Sequence, residues 1–249
     1  MIVDTYTAGT PCWVDLGTKD IEAAKKFYTA MFGWEMRTDP EADGYTLAVI
    51  GDKHVAAISP LMRDQQPTAW CTFISVADAD ATAARIEAHG GTIMQQPMQV
   101  LDAGIMGVAT DCCGAVFMIW QPLNQQGAQR VDENNAWSWS QLFTSNTTRA
   151  AAFYSAVFDW VAKEDDSIAD LTMLMLNGNP VGSMMQITPE MGSMPSYWGV
   201  SFNVENAQKA ADVATANGGT VMRAPENLGP ITRTVIKDPT GGIFLATQV

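Results

Sequence analysis

The chain has 249 residues, with 27 Asp and Glu against 14 Lys and Arg and a formal net charge of −13. That length holds two modest domains, each with its own core, and that charge excludes a nucleic-acid backbone or an anionic membrane as partner, because both call for clustered cations. The opening MIVDTYTAGTPCWVDL has no basic, apolar leader, and no run reaches the ~18 apolar residues of a membrane span, so a soluble cytoplasmic protein is expected.

CWVDL (12–16) alternates as a half-buried strand does, with Trp13 and Asp15 on one face. Asp20 then offers a helix cap, and Ile21, Ala24, Phe27, Tyr28, Met31 and Phe32 recur at helical spacing until Gly33 stops the helix. Strand-like runs follow at 34–37, 45–50 and 54–59. From Trp70 the order restarts: a strand over 70–76, an Ala-rich helix over 78–89 ended by Gly90-Gly91, and strands at 92–95, 105–110 and 115–120. Cys12, Cys71, Cys112 and Cys113 form no C-x-x-C and read as reduced, small apolar fillers.

PLNQQGAQRVDENNA (122–136) is polar and amide-rich and reads as a linker. Beyond it the pattern returns: strand 137–143, helix 146–158, strands 160–163, 171–176 and 181–186, then strand 198–204, helix 206–217 and strands 220–223, 233–237 and 243–248. DIEAAKKFYTAMFGW (20–34) aligns with NTTRAAAFYSAVFDW (146–160), and Trp13, Trp34 and Trp70 align with Trp139, Trp160 and Trp198. Gly90-Gly91-Thr92 aligns with Gly218-Gly219-Thr220, and Asp111-x-x-Gly114 with Asp238-x-x-Gly241. Six of the eight tryptophans fall into such pairs, which marks a tandem duplication. The expected organisation is a domain over 1–122, a linker over 123–136 and a domain over 137–249. The fold class is α+β, with four βαβββ units whose sheets curl into cups and carry helices on their convex side.

The F-Y-x-x-x-F-G-W helix and the D-x-x-G turn before the last strand resemble the vicinal oxygen chelate superfamily, which includes glyoxalase I, bleomycin-resistance proteins and extradiol dioxygenases. The resemblance spans nearly the whole chain as two glyoxalase-like domains. It implies cups that, in the enzymes, hold a divalent metal on His and Glu ligands. The matching positions here are Trp13 and Trp139, Cys71 (or Trp70, one residue away) and Gly199 (or Trp198), Met118 and Leu245, with a fourth near Ala56–Ile58 and Gly182–Met184. The usual ligands are absent, and neither His54 nor His89 stands in a ligand position. No metal or other cofactor is therefore expected, and an atypical site would draw on Asp15, His54 or Cys71.

With odd positions of the first strands facing inward, the cups receive Trp13, Asp15, Cys71, Phe73, Met118 and Trp120 in one half, and Trp139, Gln141, Ser201, Leu245 and Thr247 in the other. Such an aromatic, sulfur-rich hollow with few polar groups suits a small molecule, and Asp15 beside two indoles suits a cationic or aromatic one. Equally, recurring aromatics serve packing, and a strand-edge His54 serves solvent contact. Asp15 is the residue that packing explains worst. The reading is a metal-free binder of a small aromatic or hydrophobic molecule. Its alternatives are a lyase or dioxygenase using Asp15, His54 or Cys71 as catalytic groups, and an interaction module with filled cups. The resemblance leaves a homodimer open.

Overall fold

A computed structural model describes residues 1–38, 42–63 and 65–249. The first half runs β1 (Pro11–Thr18), α1 (Ile21–Phe32), β2 (Glu35–Thr38), β3 (Thr46–Ile50), β4 (Lys53–Pro60), then β5 (Ala69–Ser75), α2 (Ala79–Ala88), β6 (Thr92–Val100), β7 (Gly104–Thr110) and β8 (Val116–Pro122). The second half repeats this as β9 (Trp137–Thr144), α3 (Thr147–Phe158), β10 (Val161–Glu164), β11 (Leu171–Leu176), β12 (Asn179–Gln186), β13 (Tyr197–Asn203), α4 (Ala207–Ala216), β14 (Thr220–Asn227), β15 (Thr232–Lys237) and β16 (Ile243–Gln248). The four βαβββ units appear as expected. Strands β6 and β14 run further than their apolar patterns suggest, and a single 3₁₀ turn at Pro189–Met191 has no counterpart in those patterns.

Each half folds into one eight-stranded sheet, ordered β2-β3-β4-β1-β5-β8-β7-β6 and β10-β11-β12-β9-β13-β16-β15-β14. The two units of a half join through antiparallel pairing of their first strands, β1 with β5 and β9 with β13. Asp20 accepts the Ala23 N–H at 2.9 Å and Asn146 accepts the Arg149 N–H at 2.9 Å, so equivalent helices start on equivalent caps. At the other end Gly33 takes φ 69° and Asp159 takes φ 61°; an Asp tolerates the left-handed turn that the first half assigns to glycine. Among the described residues no helix is long and apolar enough to cross a membrane.

The first helix of each half packs against the other half. Phe27 of α1 meets Phe244 of β16, and Phe153 of α3 meets Phe117 of β8, both at 6.3 Å between ring centroids. At the centre of each contact the Tyr28 hydroxyl accepts from Trp70 Nε1 at 2.8 Å and donates to Asp238 Oδ2 at 2.7 Å. Its duplicate uses Trp198 Nε1 on Tyr154 at 2.9 Å and Tyr154 on Asp111 Oδ2 at 3.1 Å. The aspartates are those of the D-x-x-G turns. Their second oxygens accept backbone N–H groups of the turn itself, from Cys113 and Ala115 and from Thr240, Gly241 and Gly242. The paired glycines also acquire a reason. Gly90 and Gly218 turn at φ 87° and 86°, while a Cβ on Gly91 or Gly219 would sit 2.9 Å from the opposite half's Phe153 or Phe27.

The sheets meet through their convex faces, where Thr72 of β5 and Ser140 of β9 share a hydrogen bond of 2.9 Å. The concave faces therefore lie on opposite sides, apart from each other. The segment read as a linker is docked: Ala128 donates to the Cys12 carbonyl, Gln129 to that of His54, and the Trp34 and Trp120 indoles donate to the carbonyls of Asn135 and Gln125. Tyr28→Phe strands a buried indole N–H and one Asp238 oxygen. It is expected to lower the unfolding free energy by about 2–3 kcal/mol in denaturant titrations; a loss under about 0.5 kcal/mol would contradict the structural role of this relay.

Candidate functional site

Directly paired residues on neighbouring strands share a face, and the pairing decides which side chains meet. Asp15 lies opposite Cys71 on β5 and Ala57 on β4, Trp13 opposite Phe73, Phe73 opposite Met118, and Trp120 opposite Met106. Trp13, Asp15, Cys71, Phe73, Met118 and Trp120 therefore share the concave face of the first sheet. This register settles the choice between neighbours: Cys71 points into the cup, and Trp70 points to the convex side, where it bonds Tyr28. Tyr45 joins the cup, its hydroxyl accepting from Trp13 Nε1 at 3.0 Å. Partly buried Tyr45, Leu47, Val100, Ala103 and Met106 are among the side chains packed against the hydrophobic cluster that contains this floor.

Asp15 is 6% exposed. No described group donates a hydrogen bond to its carboxyl and no cation stands beside it, so burial alone pushes its pKa up to about 7. Burial, and then the Asp15 charge, raise Cys71 as well, and the same two causes raise Tyr45. The wall of this cup thus favours a protonated carboxyl, thiol and phenol together.

His54 opens β4 opposite Val49, three residues along the strand from the Ala57 that faces Asp15, or about 10 Å at the usual strand rise. The structure does not bring it to the carboxyl. Its Nδ1 is buried without a partner, and burial together with Arg37 and Lys53 lowers its pKa. Of the three catalytic candidates, Asp15 and Cys71 stand directly opposite each other and His54 stands apart from them.

In the second sheet Gln141 lies opposite Ser183 and Gly199, Trp139 opposite Ser201, Ser201 opposite Leu245, and Thr247 opposite Arg233. Trp139, Gln141 and Ser201 so share the second concave face. Sequence reasoning missed Arg233. It sits where the first half has Met106, and in a strand written RTVIK between polar neighbours an arginine reads as solvent-facing. Its Nη1 donates to Gln141 Oε1 at 2.8 Å and its Nε to Thr247 at 3.3 Å, while Thr247 and Ser201 share a hydroxyl bond of 2.7 Å. The Trp139 indole donates to Ser183 Oγ at 2.9 Å. Trp139 also borders a cavity of about 250 Å³ between the N-terminal segment and the starts of β9 and β12, shared with Tyr6, Pro11, Trp137 and Pro180.

Neither cup offers a donor set that fits a divalent cation. Among the described residues no three of His, Cys, Asp and Glu stand together. Among the described residues the first cup has Asp15 and Cys71, both driven toward their protonated forms, whereas a metal binds the deprotonated ones. The second presents an indole, an amide, hydroxyls and a guanidinium.

The Asp15 proton has a thermodynamic signature. The folded state holds it up to about pH 7, and the unfolded chain releases it near pH 4. Stability contributed at this group therefore falls as pH rises between those values and levels off above them. Asp15→Asn is expected to raise the unfolding free energy by a few kcal/mol near pH 8, since each tenfold difference in proton affinity is worth roughly 1.4 kcal/mol, and the gain should vanish toward pH 4. Chemical denaturation of both proteins across that range measures it, and a gain independent of pH would contradict the unpaired, protonated carboxyl.

Residues 11–119 match the Glyoxalase/Bleomycin resistance protein/Dioxygenase superfamily and residues 139–247 match a glyoxalase-like domain. The chain is 36% identical over 248 residues to the putative glyoxylase CFP32 of Mycobacterium tuberculosis, covering 96% of this chain and 94% of that one. It is 30% identical over 262 residues to the anthracycline biosynthesis protein DnrV of Streptomyces peucetius, covering 98% and 94%. Similar folds include the Mn(II)-bound glyoxalase of Novosphingobium aromaticivorans, with TM-score 0.68, 18% identity and coverage of 97% and 82%. Another is the 2,3-dioxygenase LapB of Pseudomonas sp. KL28, with TM-score 0.67, 14% identity and coverage of 98% and 94%. With two tandem domains matched and this kinship along nearly its full length, the chain belongs to the glyoxalase/bleomycin resistance protein/dioxygenase superfamily.

Proposed function

We propose that this protein is a metal-free binder of a small aromatic or hydrophobic molecule, held in the first cup with a hydroxyl or protonated amine against Asp15. The observation that carries this reading is the Asp15 carboxyl, buried on an aromatic floor with no partner among the described residues. A cup filled only for packing would gain from an apolar residue there, since an unpaired buried polar group is costly. A ligand donor would satisfy the carboxyl, and the indole faces of Trp13 and Trp120 would stack on a ring. Met106, opposite Trp120, and Tyr45, bonded to Trp13, border this floor, and an unbranched methionine moves aside readily. Kinship with an anthracycline biosynthesis protein supports a small-molecule role.

One observation favours a second reading. A carboxyl poised at about 7 beside a thiol can take up and return a proton near neutral pH, which suits a metal-independent lyase and agrees with the relative named a putative glyoxylase. In both readings Asp15 meets the ligand.

Titration with a panel of hydroxylated and amino-substituted polycyclic aromatics, followed by tryptophan fluorescence, tests the proposal. At least one member is expected to quench saturably at one site per chain, with affinity falling by roughly tenfold or more in Asp15→Ala. A panel without a saturable member, or one bound equally well by the variant, would overturn it.

A further inference from the structure

The second cup presents unanswered polar groups of the opposite sense. Gln141 is 1% exposed, and its Oε1 accepts from Arg233. A guanidinium has only donors, so this bond fixes the orientation of the amide and leaves Nε2 as a buried N–H₂ group with no acceptor. Arg233 uses two of its five N–H groups on Gln141 and Thr247. Ser183, directly opposite Gln141, accepts the Trp139 indole and keeps its own hydroxyl proton uncommitted.

Among the described residues no carboxylate answers these donors. Arg233 is in no ion pair among the described residues, and Glu226, its neighbour on β14, is exposed and unbonded to it. Around the donors stand Trp139, Met173 opposite Ser183, and the stacked Phe143 and Tyr197 rings with centroids 4.9 Å apart. Converging donors with one fixed positive charge and no internal acceptor are complementary to an oxyanion. The apolar surround suits an organic body attached to it.

We propose that the second cup is a separate binding site for a small organic carboxylate, which accepts from Arg233, the Gln141 amide and the Ser183 hydroxyl while its body lies against Trp139. The site is independent of the first-cup reading. The duplication would thus have produced one cup that receives a donor and another that receives an acceptor.

Benzoate, with benzyl alcohol as its neutral analogue, tests the assignment on the full chain by calorimetry, with chemical shifts of the indole N–H groups to locate the site. Benzoate is expected to bind saturably at one site and to move the Trp139 signal, with benzyl alcohol weaker by roughly tenfold or more. Arg233→Met is expected to weaken benzoate by a similar factor and Arg233→Lys to retain part of the affinity. If Arg233→Met fails to fold, Gln141→Glu serves instead: its carboxylate would occupy the guanidinium and abolish benzoate binding. Equal affinity for acid and alcohol as read at the Trp139 signal, wild-type affinity in Arg233→Met or Gln141→Glu, or no saturable benzoate binding would each overturn the proposal.

Discussion

The two halves depend on a hydrogen-bond relay that neither can complete alone: an indole N–H donates to a tyrosine hydroxyl, which donates to the turn aspartate of the opposite half. Trp70, Tyr28 and Asp238 form one copy and Trp198, Tyr154 and Asp111 the other. All six residues are buried, so every polar atom must find its partner inside the protein. Burial, followed by the adjacent aspartate, holds both tyrosines well above the usual phenol range, which keeps them protonated as donors. The relay ties each first helix to the opposite sheet and sets the convex faces together. The concave faces are thereby left helix-free and pointing away from each other.

That arrangement frees the cups to diverge. Their scaffold is duplicated strand for strand, yet the polar groups at matching positions differ in sense. Asp15 corresponds to Gln141, Met106 to Arg233, Phe73 to Ser201 and Trp120 to Thr247. The first cup is aromatic with one unpaired carboxyl. The second is polar with one unpaired guanidinium. In both, the position that leads the first strand is an indole, Trp13 or Trp139, whose N–H is satisfied by a hydroxyl across the sheet, Tyr45 or Ser183. An indole bound in this way frames a hollow and cannot chelate a cation.

Much of the architecture was legible because it is periodic. Strand alternation, helix stripes and the aligned tryptophans reveal four units and two halves, and alternation along β1 places Trp13 and Asp15 on one face. Three features escaped for physical reasons. The relay joins Tyr28 to Asp238 across 210 residues, and no local pattern encodes such a contact. Residues 123–136 read as a solvated linker from their amide side chains, yet Gln129 Oε1 accepts the His54 N–H and the backbone N–H groups of Ala128 and Gln129 bond carbonyls of β1 and β4, contacts that composition does not encode. Arg233 has the composition of an exposed strand residue, and only its registration against Thr247 turns it inward. Choosing Cys71 over Trp70 likewise needed the pairing of β1 with β5, since a one-residue slip exchanges the two faces.

Metal content by mass spectrometry tests most directly the proposal that these cups take organic ligands in place of a chelated cation. The protein would be purified without chelator and exposed in turn to Fe, Mn, Ni and Zn. The expected content is far below stoichiometric for every metal, because two protonation-prone donors in one cup and none of the usual kind in the other cannot form a closed site. Close to one equivalent per chain, lost in Asp15→Asn or Cys71→Ser, would contradict the claim and return the first cup to metal-dependent chemistry.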